Sequence, residues 1–167
     1  MRRMNMTTSQ PGTEIGHTWS IRVYYEDTDA GGIVFYANYL KFFERARTEW
    51  LRACGVDQNR LAEETGAMFI VRSTAVDYLA PARLDDVVRV VSRIERLGKA
   101  SVDFAQEAWR DGTLLAKGSI RIGCVERTAL RPAAIPPPVL AALRRGPCAG
   151  DGGVSTNPGG APLLRGQ

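Results

Sequence analysis

The chain has 167 residues, 44% of them hydrophobic and 24% charged, which fits one domain with a full core and leaves no need for a second. Its net charge of +4 comes from residues 127–167, which carry 5 Lys+Arg against 1 Asp+Glu, while residues 1–126 carry 17 of each, so the body lacks the clustered basic face of a nucleic-acid binder. Three irregularly spaced cysteines, Cys54, Cys124 and Cys148, suggest neither a disulfide framework nor a metal knuckle, and no apolar run is long enough for a signal peptide or membrane span.

The expectation is therefore a soluble, unprocessed protein in a reduced, cytosolic setting. Residues 1–17 read as a flexible lead-in and residues 146–167 as a disordered tail, in which Gly and Pro make up 10 of 22 positions. Between them, residues 18–145 form the folded body. Trp19, Ile21, Val23 and Tyr25 alternate with polar or differently facing neighbours, the period-two pattern of a strand with one buried face. Asn38 can cap a helix beginning near Tyr39, in which Tyr39, Phe43, Ala46, Trp50 and Cys54 recur at spacings of three and four and Phe42 and Leu51 widen the stripe. Gly55 ends it, and a short helix over residues 59–64 follows.

From Ala67 the pattern becomes β-rich, with strands expected over 68–78, 86–96, 101–110 and 114–125. Asp111-Gly112 is a hairpin signal, and a last short helix is expected within 135–145 after three prolines. One strand, one long helix and then four strands is an α+β order, a single sheet packed on one main helix. A sheet of this kind leaves an edge for a second copy, so a homodimer is expected.

The chemistry concentrates where the first strand runs into the long helix. Asp27 and Asp29 are the leading carboxylates, Gly31 and Gly32 allow close backbone approach, and the helix N-terminus adds positive partial charge. The same residues are also ordinary turn formers, so local pattern alone leaves structure and catalysis both open. An acid buried against Tyr24, Tyr25, Phe35 and Tyr36 could act as a base or attack a carbonyl directly. Tyr36 and Asn38 could be packing and cap, or could border unpaired amides that donate to a developing oxyanion. The one histidine, His17, falls in the lead-in, which leaves no His-dependent triad or multi-His metal site, and no metal or cofactor is expected. Arg83, Lys99 and Arg131 follow turns or element ends, where cations can meet ligand phosphates.

The run VYYEDTDAGGIVFYANYLKFFERARTE, residues 23–49, strongly resembles the acyl-CoA thioesterases of the YbgC type, associated with the Tol-Pal system, within the wider 4-hydroxybenzoyl-CoA thioesterase family. Weaker similarity continues through YLAPARLDD, residues 78–86, to about Pro136. The resemblance implies the hotdog fold, a long central helix wrapped by an antiparallel β-sheet, with sites at the interface of a homodimer or homotetramer. It implies hydrolysis of acyl-CoA, short-chain or aromatic, without a cofactor. Asp29 would be nucleophile or general base, with Asp27 as its structural partner. The Tyr36 backbone amide would polarise the thioester carbonyl, and Gly31 and Gly32 would let the chain pass close to the acyl group. Asn38, beside that amide, and the cations Arg83, Lys99 and Arg131 are the further residues expected to bind the substrate. Many YbgC-type sequences carry His where this chain has Tyr36, whereas hydroxybenzoyl-type members carry Tyr there, so any help from that His is absent here. The alternatives are a thioesterase acting on acyl carrier protein, and a non-catalytic module binding acyl-CoA or a cell-envelope partner. A dehydratase on the same fold is disfavoured because the body has no His.

Overall fold

The structure, a computed structural model, describes residues 16–146. The lead-in up to residue 15 and the tail from residue 147, with Cys148, lie outside the described residues. The elements are β1 (Gly16–Arg22), α1 (Asn38–Ala53), α2 (Gln58–Thr65), β2 (Ala67–Tyr78), β3 (Val87–Leu97), β4 (Ser101–Arg110), β5 (Thr113–Glu126) and α3 (Pro137–Arg145). The five strands form one antiparallel sheet in the order β1-β3-β4-β5-β2, so β1 and β2 are its edges. The sheet packs on α1, the hotdog arrangement. No helix among the described residues is long and apolar enough to cross a membrane.

The pairing of sheet and helix follows from two periodicities. Tyr39, Phe42, Phe43, Ala46 and Trp50 are buried along one face of α1, and on β4 every second residue from Val102 to Ala108 is buried beneath it. Gly118 on β5 permits the approach: a Cβ there would lie 3.0 Å from Phe43 Cε2 and 3.3 Å from Val76 Cγ2. The β4–β5 turn is the expected two-residue hairpin, with Asp111 at φ 52°.

Among the described residues three polar side chains are buried, Asn38, Ser92 and Gln106, and Gln106 bridges the most elements. Gln106 is 1% exposed, and its Nε2 donates to the Phe43 carbonyl at 3.0 Å and to Ser92 Oγ at 2.8 Å. Its Oε1 accepts from Arg47 Nη1 at 2.7 Å. The side chain thus joins α1, β3 and β4 with its amide satisfied, as burial demands. Burial also pushes the Arg47 guanidinium down to about 10, partly opposed by the negative charge of Glu44.

Three local expectations are corrected. The first strand stops at Arg22 rather than Tyr25, because Val23 turns its amide to Asp86 O and the chain then winds into a 3₁₀ turn, Tyr25–Asp27. His17 is not part of a flexible lead-in: it lies in β1 opposite Ser92, its ring stacked on Trp50 with centroids 6.1 Å apart. Asn38 does not cap α1. The helix is entered through bonds three residues apart, Asn38 N–H to Phe35 O and Tyr39 N–H to Tyr36 O, so Asn38 is already inside the helix and Ala37 precedes it with helical dihedrals.

Candidate active site

Residues 27–38 fold into a compact loop held mostly by its own backbone. The Tyr24 amide donates to Asp27 Oδ2 at 2.8 Å, which fixes the 3₁₀ turn and makes Asp27 a structural carboxylate. The chain then doubles back: Asp29 N–H reaches Ile33 O at 2.9 Å, and Gly32 N–H reaches Asp29 O at 3.0 Å. Gly32 takes φ +76°, a conformation that costs glycine little, and Gly31 N–H donates to Asp29 Oδ1 at 2.8 Å. One carboxylate oxygen of Asp29 is therefore engaged and the other is left outward.

Two bonds dock this loop onto the start of α1. Phe35 N–H donates to Asp27 O at 2.9 Å, and the buried Asn38 side chain donates from Nδ2 to the same carbonyl oxygen at 2.8 Å. Asn38, expected to line the substrate, is only 7% exposed and holds the loop instead. Among the described residues the Tyr36 N–H meets no hydrogen-bond acceptor, as expected at the entry to a helix.

The segment before β3 forms the loop's other wall. Val34 N–H donates to Ala82 O at 2.8 Å, and Ile33 bridges Arg83. Arg83 N–H and Arg110 Nη1 both donate to Asp86 Oδ2, at 2.8 and 3.0 Å, and Arg110 also reaches Pro81 O. Burial pushes the Asp86 carboxyl up, but these bonds and the two guanidinium charges outweigh it and hold it below its ordinary value. Arg83 thus lies across Ile33 from Asp29, in the same wall of the loop.

Lys99 and Arg131 lie elsewhere in the same chain. Lys99 O accepts from Ile135 N–H and Arg131 O from Glu126 N–H, at the end of the sheet where β3 and β5 finish. The 11 residues of β3 separate that end from Arg83, a distance of about 30 Å at strand rise.

Asp29 is exposed on the single chain, contrary to the expectation of an enclosed acid. The rings around it are open as well: Tyr25 is 82% exposed, Tyr36 61%, and Tyr24 and Phe35 just under half. Tyr36 packs on Phe35 at 4.7 Å and edge-on to Tyr78 at 5.9 Å, and Tyr78 in turn meets Tyr39 at 5.7 Å. Sequence reasoning did not assign Tyr78 to the site. It stands more than 40 residues from Tyr36 and at the end of the edge strand β2, so no local pattern could join them. A second feature also went unseen. A partly open cavity of about 140 Å³ lies between α1, the first half of β2 and α3, walled by Leu51, Phe69, Val102, Phe104, Ile122 and Leu143, with Arg47 and Thr48 on its polar side.

An α+β hotdog sheet with a carboxylate and an unpaired helix-entry amide at one end is the frame of a thioester hydrolase. The model of the thioesterase-like superfamily matches residues 23–143. The acyl-CoA thioesterase YbgC of Haemophilus influenzae is 42% identical over 77% of this chain and 94% of its own length, and that of Helicobacter pylori strain J99 is 38% identical over 69% and 90%. Among solved structures, a probable thioesterase from Bartonella henselae superposes with a TM-score of 0.69 at 31% identity, covering 72% of this chain and 99% of its own. The chain therefore belongs to the thioesterase-like superfamily, and within it to the YbgC-type acyl-CoA thioesterases.

Proposed function

We propose that this enzyme hydrolyses short-chain acyl-CoA to free acid and CoA at Asp29. The observation that carries the reading is the unpaired Tyr36 N–H beside a loop that turns one free Asp29 oxygen outward. The thioester carbonyl oxygen accepts from the Tyr36 amide, whose hydrogen bond strengthens as negative charge develops on it. Asp29 either attacks the carbonyl carbon, giving an anhydride that water then opens, or takes a proton from the attacking water. In both routes the tetrahedral oxyanion collapses and the C–S bond breaks, with the electron pair leaving on the CoA sulfur. Single-turnover hydrolysis in ¹⁸O-water separates the two, because only the anhydride route can place label in the Asp29 carboxylate.

The exposure of Asp29 and its rings supports a site completed by a second copy. β2 is an edge strand with residues 71–75 exposed, and Val71, Tyr78 and Leu79 add apolar surface next to it. Two β2 edges pairing antiparallel about a two-fold axis keep both α1 helices on one side of a continuous sheet. That arrangement sets the Tyr78 end of one copy against the Ala67 end of the other. Ala67 pairs with Glu126, whose amide bonds Arg131, so the second copy's Arg131 and Lys99 come toward the first copy's Asp29. These cations then suit the CoA phosphates, and the cavity beside Phe69 becomes the room for the acyl group.

Asp29→Asn is expected to lower kcat about 10²–10⁴-fold with an unchanged melting temperature. Near-normal thiol release by that variant from a substrate the parent enzyme hydrolyses would overturn the assignment. Mixing Asp29→Asn chains with Lys99→Ala/Arg131→Ala chains tests the shared site: a mixed dimer holds one intact site and regains activity, whereas sites confined to single chains do not.

A further inference from the structure

Helix α3 is used by nothing derived above, yet it forms one end of the cavity. Its entry is fixed: Ile135 N–H donates to Lys99 O at 2.7 Å, Pro137 and Pro138 open the helix, and Val139, Ala142 and Leu143 turn inward. Leu143 is 3% exposed and is the one α3 side chain lining the cavity, facing Leu51 of α1 and Phe104 of β4. Leu140, on the same helix, is partly buried against the core without lining the cavity. The polar side carries Glu44, Arg47, Thr48 and Gln58, of which Arg47 is held by its bond to Gln106.

The geometry points to Leu143 as the residue that limits acyl chain length. This rests on the cavity being the acyl room of the proposed thioesterase. A space of about 140 Å³ matches an apolar cavity that just encloses a benzene ring, so it takes an acyl chain of about six carbons at most. The chain end then meets the Leu143 side chain, and further methylenes either displace α3 or lie in the open part of the cavity, where they gain no burial. Removing three carbons of Leu143 opens room for two or three methylenes more, while a larger side chain shortens the accepted acyl group.

The test uses S-alkyl-CoA thioethers, which bind without reacting, together with acyl-CoA substrates of two to twelve carbons. For the parent protein, affinity should improve about fourfold per methylene up to the limit and then stop improving. Leu143→Ala should move that break two to three carbons longer, and Leu143→Phe should move it shorter. Leu140→Ala should lower the melting temperature and leave the break in place, which separates gating from loosened packing. An unchanged break in both Leu143 variants overturns the inference, as does a break that moves equally in Leu140→Ala. If Leu143→Ala does not fold, Leu143→Val and Leu143→Phe carry the same comparison. The binding series does not need turnover. A shifted break with no hydrolysis by the parent enzyme would overturn the thioesterase reading and keep the gate, and hydrolysis abolished by Asp29→Asn with an unmoved break would do the reverse.

Discussion

The loop around Asp29 and the strut around Gln106 are both hydrogen-bond networks, and they are built in opposite ways. The loop is open to solvent and made largely of backbone bonds; its internal bonds link residues at most 11 positions apart, and Val34 N–H to Ala82 O ties it to the segment before β3. The strut is buried, made of side chains, and joins residues 14 to 63 positions apart. An exposed polar group costs little to leave ready for a ligand, whereas a buried one costs several times more when unpaired. The free Tyr36 amide and outward Asp29 oxygen are therefore cheap to keep, and the rigidity that aims them is supplied by the dry network beneath α1. Substitution in the loop should change rate more than stability, and substitution in the strut the reverse.

The sharpest way to break that contrast is Gln106→Ala. It leaves buried Ser92 Oγ and the half-buried Arg47 guanidinium without their partner, a loss of about 2 kcal/mol. Chemical denaturation should show that loss directly, with KM for a short acyl-CoA little changed in the fraction that remains folded. Gln106→Ala together with Arg47→Met removes the stranded charge and should recover part of the stability. No recovery would mean that the strut's worth lies in Ser92 and Phe43 rather than in the cation.

A smaller effect, on the other side of the comparison, is expected of Asn38→Ala. The Asp27 carbonyl keeps its bond from Phe35 N–H, so the stability loss stays near ~1 kcal/mol. The loop, however, is then docked on α1 by one bond instead of two, and Asp29 is less well aimed relative to the Tyr36 amide. The expected outcome is a fall of about tenfold in kcat with KM nearly constant, the signature of lost alignment. A raised KM at constant kcat would restore Asn38 to the substrate-lining role expected from the motif.

What the sequence made legible follows the same division. Element order, the 101–110 strand and the Asp111-Gly112 hairpin could be read because their determinants are a few residues apart. So could the carboxylate-glycine loop, whose turn formers lie within a few residues of one another. The Asn38 cap was misread because Ser, Thr, Asp or Asn before an apolar run is only a statistical cap signal. Here the residue's amide found the Asp27 carbonyl across the loop. Tyr78 beside Tyr36, Leu143 beside Phe104 and Arg47 on Gln106 are products of strand order and helix docking, which no window of sequence contains. His17 fell on the wrong side of a boundary because Pro11, Gly12 and Gly16 before it break the strand signal. The ladder to β3 and the indole of Trp50 supply the order that composition lacks.

His17 also gives the smallest expected effect, one that touches neither network directly. Burial pushes its pKa below the ordinary 6.5, against a lesser upward pull from Glu49, and its Nδ1 has no hydrogen-bond partner among the described residues. The folded protein therefore binds the proton less readily than the unfolded chain. The contribution to stability is intact above pH 6.5, falls as pH drops through that value, and levels off below the folded-state pKa. Half-exposed groups are partly screened, so the shift in melting temperature between pH 7.5 and pH 5.5 should be small, about 2 °C. Carboxylates change little in that window, and the comparison with His17→Phe isolates the imidazole. The difference between the two proteins should grow as pH falls, with kcat/KM for short acyl-CoA moving equally in both. A pH-dependent difference in kcat/KM instead would tie β1 to the Asp29 loop through α1, and the two networks contrasted above would then be one.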